Sequence, residues 1–116
     1  MIIAVEGSKL FSDYDLFMRG MTVALSNPIV DGDIQVWSLG PHKINSFTAA
    51  FCNSSENYLK QKGFRISFYK VNYKWFLENM FNVNYFAYFS LPKEELSRVA
   101  KSMESVKACE LGIFRY

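Results

Sequence analysis

Apolar residues along this chain fall into two rhythms that alternate from one end to the other. Ile2-Ile3-Ala4-Val5 is a short continuous apolar run, as expected of a parallel strand covered on both faces, and it ends at Glu6. Gly7 then allows a tight turn, and Ser12 or Asp13 caps a helix with Asp15 in its first turn. Tyr14, Phe17, Met18, Met21, Ala24 and Leu25 recur at steps of three and four, which places them on one buried helical face. Asn27-Pro28 ends this helix, Asp31-Gly32-Asp33 makes a turn, and Ile34 to Ser38 is the second strand. Helical spacing returns with Ile44, Phe47, Phe51, Tyr58 and Leu59 and stops at Gly63. Arg65 to Val71 reads as the third strand, with Ile66 and Phe68 on one face and Tyr69 and Val71 on the other. Tyr73, Phe76, Leu77 and Met80 fit a short helix, and Val83 to Phe89 is a second buried apolar run. Ser90-Leu91-Pro92-Lys93-Glu94-Glu95 reads as a helix entrance, followed by the stripe Leu96, Val99, Ala100, Met103 and Val106. Leu111 to Tyr116 closes the chain as a fifth strand.

Strands alternating with helices, each connection long enough for a right-handed crossover, predict the α/β class. The expected architecture is a single three-layer Rossmann-like domain over residues 1–116, with a mostly parallel five-stranded sheet. At 116 residues and 50% hydrophobic content the chain supplies one core and no second domain. A formal net charge of +2, with no run of Lys or Arg longer than two, argues against a nucleic-acid surface. Cys52 and Cys109 lie far apart without metal-ligand spacing, so reduced, buried thiols are expected, with no metal and no cofactor. The first residues lack a basic region and their apolar run stops at Val5, so no signal peptide or membrane span is expected and a cytoplasmic location follows. Asn53-Ser54-Ser55 matches the glycosylation pattern, which has no role in that compartment.

Gly7-Ser8-Lys9-Leu10-Phe11-Ser12-Asp13-Tyr14 is similar to the G-S-R-x-F-x-D-Y signature of the YspA-type members of the SLOG superfamily, Rossmann-like proteins related to DprA and to the LOG enzymes. The family's second signature, roughly S-G-G-A-x-G-A-D, falls after strand two, where this chain reads Ser38-Leu39-Gly40-Pro41-His42-Lys43-Ile44-Asn45. Lys62-Gly63-Phe64-Arg65-Ile66 resembles the family's link into strand three, so the resemblance spans the chain. Of the second signature's glycines only Gly40 remains; Leu39 and Lys43 replace the others, and Asn45 stands at the acidic position. The LOG enzymes carry P-G-G-x-G-T-x-x-E after strand four, whereas this chain has Pro92-Lys93-Glu94-Glu95-Leu96-Ser97. The resemblance therefore implies the fold and a ligand site but not phosphoribohydrolase chemistry.

In open parallel sheets ligands sit beyond the carboxyl ends of the strands. The residues expected there are Gly7, Ser8 and Lys9 after strand one, Ser38, Gly40, His42, Lys43 and Asn45 after strand two, and Ser90 after strand four. Backbone amides of Gly7 and Ser8 with the Lys9 ammonium suit a phosphate, Ser38 and Asn45 suit a ribose or base, and Lys43 adds a second cation. Beside these stand plainer readings: Gly7 serves only the turn, Lys9 is a solvated loop lysine, and His42 has no partner that fixes a role. Glu6, at the site's edge, suits a ribose hydroxyl or a base, and the aromatic residues from Phe64 to Phe89 read as core. No catalytic residue is assigned. Three functions are compatible: a binding module for a nucleotide or nucleotide-derived ligand; a ligand-free interaction or inhibitor protein, conceivably phage-encoded and host-directed or anti-defence; and a hydrolase of a nucleotide N-glycosidic bond using Glu6 or His42. A terminal strand at the sheet edge also allows pairing with a second copy.

Overall fold

The structure, a computed structural model, describes residues 1–26, 32–107 and 109–115. Its elements alternate in chain order: β1 (Ile2–Gly7), α1 (Tyr14–Leu25), β2 (Asp33–Ser38), α2 (His42–Gln61), β3 (Arg65–Lys70), α3 (Tyr73–Asn79), β4 (Tyr85–Ser90), α4 (Arg98–Val106) and β5 (Glu110–Arg115). A single 3-10 turn, Met80–Asn82, extends α3. The sheet order is β3-β2-β1-β4-β5, and every pairing is parallel. The expected single-domain α/β sandwich is therefore present, with an all-parallel sheet.

Alternation along the strands divides the core in two. Ile3 and Val5, with Val36, Ala87 and Phe89, pack beneath α1 and α2 against Phe17, Met21, Ile44 and Phe51. Ala4, Trp37, Phe86 and Tyr88 point the other way and pack against Phe76 from α3 and Val99 and Met103 from α4. β4 is buried at every residue, which accounts for its unbroken apolar run. Strand order reverses between β1 and β4, with α1 leaving one face and α4 covering the other, so a crevice forms at their carboxyl ends.

Side-chain caps set three helix starts: Asp13 accepts from the Leu16 N–H, Asn72 from that of Trp75 and Ser97 from that of Ala100. Gly63, at φ +89°, follows the last residue of α2's cap and turns the chain into β3, as its position in the sequence predicts.

Several expectations need correction. Met18 is 38% exposed, because Leu16 and Gly20 complete the buried stripe of α1 instead. Tyr58 is 63% exposed, its ring lying on the outer side of α2 under the Lys62 ammonium. Of the aromatic residues from Phe64 to Phe89 expected in the core, Tyr69, Tyr73, Trp75 and Phe81 are exposed, Tyr69 because no helix covers that face of the edge strand. The helix expected from Pro92 begins at Arg98: Lys93 takes a left-handed backbone (φ 71°), and Glu94 binds the Leu91 N–H instead of a helical one. Leu96 consequently precedes α4, and Val106 is exposed at its end. The helix stop at Asn27-Pro28, the start of the Asp31 turn and Tyr116 lie outside the described residues.

Candidate functional site

The two loops expected to hold the ligand meet, but most of their polar groups are bonded within the protein. The Gly7 N–H donates to the Gly40 carbonyl at 3.1 Å, and the Ser8 N–H donates to the Phe89 carbonyl at 2.8 Å. A Cβ on Gly7 would lie 2.6 Å from Ile44 Cδ1, so the missing side chain lets α2 approach β1. The Ser8 hydroxyl accepts from the Leu10 N–H and donates to Glu94 Oε2 at 2.6 Å. Glu94 Oε1 accepts from the Leu91 N–H at 2.6 Å. A carboxylate of the chain itself thus occupies the Ser8 hydroxyl beside the amides expected to hold a phosphate. These bonds, the one from Ser8 foremost, hold the Glu94 carboxyl below its ordinary value of 4.5.

The second loop is equally self-bonded. The buried Ser38 hydroxyl donates to Asn45 Oδ1 at 2.6 Å and accepts from the Gly40 N–H at 3.3 Å. Gly40 adopts φ +89° ahead of a cis bond to Pro41, a backbone that a side chain would strain. Lys9, His42 and Lys43 are exposed at the rim. Ser90, at the end of β4, differs: its fully buried hydroxyl is the buried side-chain polar atom among the described residues that lacks a hydrogen-bond partner.

The opposite side of the crevice holds a cluster that the sequence disclosed only in part. Glu6 shares the face of Ala4 and Tyr88, and Tyr88 is its register partner across β1 and β4. The Ser97 hydroxyl, which caps α4, donates to Glu6 Oε1. Burial raises the Glu6 carboxyl above its ordinary 4.5, with the Ser97 bond opposing. Burial likewise raises the Tyr88 phenol, helped by the charges of Glu6 and Glu94. Arg98, the first residue of α4, lies over the Tyr73 ring at 5.9 Å and pairs with no carboxylate among the described residues. Glu6, Tyr73, Arg98 and Val99 line a cleft of about 330 Å3. It presents a carboxylate, an aromatic ring and an unpaired guanidinium beside the amino end of a helix, a set suited to a polar, anion-bearing ligand.

Tyr73 hides in the sequence as one member of an apolar stripe, and Arg98 hides inside a helix expected to start earlier. Ser97, just ahead of the stripe Val99, Ala100 and Met103, is the cap signal that places Arg98 correctly. No His, Cys, Asp or Glu cluster among the described residues has metal-holding geometry. Burial pushes the Cys52 thiol up to about 12 and also raises Cys109, so neither presents a thiolate near neutral pH. No helix of the described residues is long and apolar enough to cross a membrane.

No family model, curated protein or solved structure matches this chain.

Proposed function

We propose that this chain is a divergent SLOG-like binding module that takes a nucleotide or nucleotide-derived ligand at the carboxyl ends of β1 and β4, on the α4 side of the crevice. The observation that carries this reading is the cleft at the strand-order reversal, where a half-buried Glu6 faces the otherwise unpaired Arg98 and the Tyr73 ring. Glu6 suits ribose hydroxyls, and Arg98 with the start of α4 suits a phosphate. The Gly7 and Ser8 amides are satisfied internally, which leaves them no free donor for an anion. The free thiols suit the cytoplasm.

A melting-temperature screen with AMP, ADP-ribose, NAD and cyclic nucleotides tests this reading. A ligand present at a hundredfold excess over its Kd raises the melting temperature by roughly 10 °C, and Arg98→Ala removes the rise. No shift with any member of the panel overturns it. Product analysis of the same mixtures separates binding from hydrolysis: intact nucleotides after long incubation remove the hydrolase.

A second reading rests on a separate feature. Tyr73, Leu77 and Phe81, spaced four apart along α3 and its 3-10 extension, form an exposed apolar stripe, with Phe81 73% exposed. The stripe suits a protein partner, and with it the host-directed or inhibitory role open to a chain that keeps only the fold. A silent nucleotide screen, with Phe81→Glu abolishing association with a partner, favours this reading.

A further inference from the structure

Glu6 and Arg98 bring opposite charges into one cleft yet form no ion pair with each other. Their roots are adjacent, because Ser97, which donates to Glu6 Oε1, is the residue before Arg98. Glu6 Oε2 has no partner among the described residues and is not buried, so it opens on the cleft that Glu6 lines. An ionised carboxylate accepts hydrogen bonds and donates none, so this oxygen calls for hydroxyl or amine donors. Arg98 lies over the Tyr73 ring at 5.9 Å, which steadies its plane and leaves the N–H fork along its edge for an anion. As the first residue of α4 it stands where helix amides add to that attraction. The remaining walls, Tyr73 and Val99, offer ring and methyl surface, and no described Asn, Gln, Ser or Thr lines the cleft to read the edge of a base.

Taking the nucleotide reading of this cleft as premise, we propose that it recognises the ribose 5′-phosphate portion of a ribonucleotide and is indifferent to the base. The two unpaired charges meet the two ends of that portion, Arg98 the phosphate and Glu6 Oε2 the ribose hydroxyls. A cleft of about 330 Å3 stands at the small end of ligand sites, which holds a sugar phosphate and leaves the base outside. A 2′-deoxy sugar would leave Oε2 facing carbon in place of a donor, and a site with an unmatched polar group discriminates against such an analogue. A Glu6 that served only to hold Ser97 would not sense that hydroxyl.

Calorimetric titration of the full chain with AMP, GMP, CMP, UMP and 2′-deoxy-AMP tests this. The four ribonucleotides should bind within about fivefold of one another, because ring and methyl contacts carry no base code. The deoxy analogue should bind about tenfold more weakly than AMP, the loss of one hydrogen bond to a charged acceptor. Glu6→Gln should weaken AMP more than 2′-deoxy-AMP, the carboxamide being the poorer acceptor. Equal affinities for AMP and 2′-deoxy-AMP in the unmodified protein, or equal weakening of both in Glu6→Gln, overturn the ribose assignment and leave the nucleotide reading standing. A wider spread among the four bases overturns the indifference to the base. If none of the four binds, the nucleotide reading itself falls, and this proposal falls with it.

Discussion

Glu6 and Glu94 flank the same crevice and are shifted in opposite senses, so their contributions to stability mirror each other. The folded-state value of Glu6 lies above 4.5: its favourable contribution is complete below the unfolded value and is lost as pH rises through the folded one. At pH near 7 its buried charge therefore opposes folding, and Glu6→Gln should melt higher than the unmodified protein. That gap should close as pH falls toward 4. Glu94 lies below 4.5, so its contribution is present above the unfolded value and fades as pH falls through the folded one. Glu94→Gln should melt lower at pH 7 and converge with the unmodified protein in acid. Melting curves across this range check both; a Glu6→Gln variant less stable at pH 7 would refute the burial argument. A carboxylate that costs stability where an amide would not is the kind of residue retained for a task.

Helix α1 sets propensity against packing at Gly20. Alanine in mid-helix gains about 1 kcal/mol over glycine, but a Cβ there would lie 2.5 Å from the Phe89 ring. Phe89 is fully buried, with Phe11, Phe17 and Phe114 at 5.4, 4.7 and 5.1 Å, so it has no room to yield. Overpacking costs about 1–3 kcal/mol, and Gly20→Ala should be destabilised in urea unfolding despite the better helix former. At the start of α4, Ser97→Ala removes a cap worth about 1 kcal/mol and also frees Glu6, loosening the helix and the cleft together. Element identities were legible because apolar period and burial agree: every strand and helix expected from the sequence has a counterpart. The start of α4 was not, because Pro92 with Glu94 and Glu95 imitates a helix entrance; a tertiary bond from Ser8 and a local one from the Leu91 N–H claim Glu94 instead. Tyr69 misled for a related reason, since alternation reports which face a residue takes and not whether a helix covers it.

At the scale of the whole molecule, the sheet order β3-β2-β1-β4-β5 decides where a ligand has room. The residues after β1, β2 and β4 do converge, as their order along the chain implies, but convergence brought Gly7 onto Gly40 and Ser8 onto Glu94. Such mutual satisfaction is invisible in a motif, because hydrogen-bond partners drawn from residues far apart are a product of the fold. The open chemistry lies on the α4 side, where Glu6, Tyr73 and Arg98 meet from three elements. The most direct test is the melting shift given by the nucleotide that stabilises the unmodified protein most, measured again in Glu6→Gln and Lys9→Ala. If the α4-side cleft is the site, Lys9→Ala keeps the shift, while Glu6→Gln loses it although its ligand-free form melts higher at pH 7. A shift that survives in Glu6→Gln and vanishes in Lys9→Ala would return the ligand to the Gly7-Ser8-Lys9 loop and contradict the account.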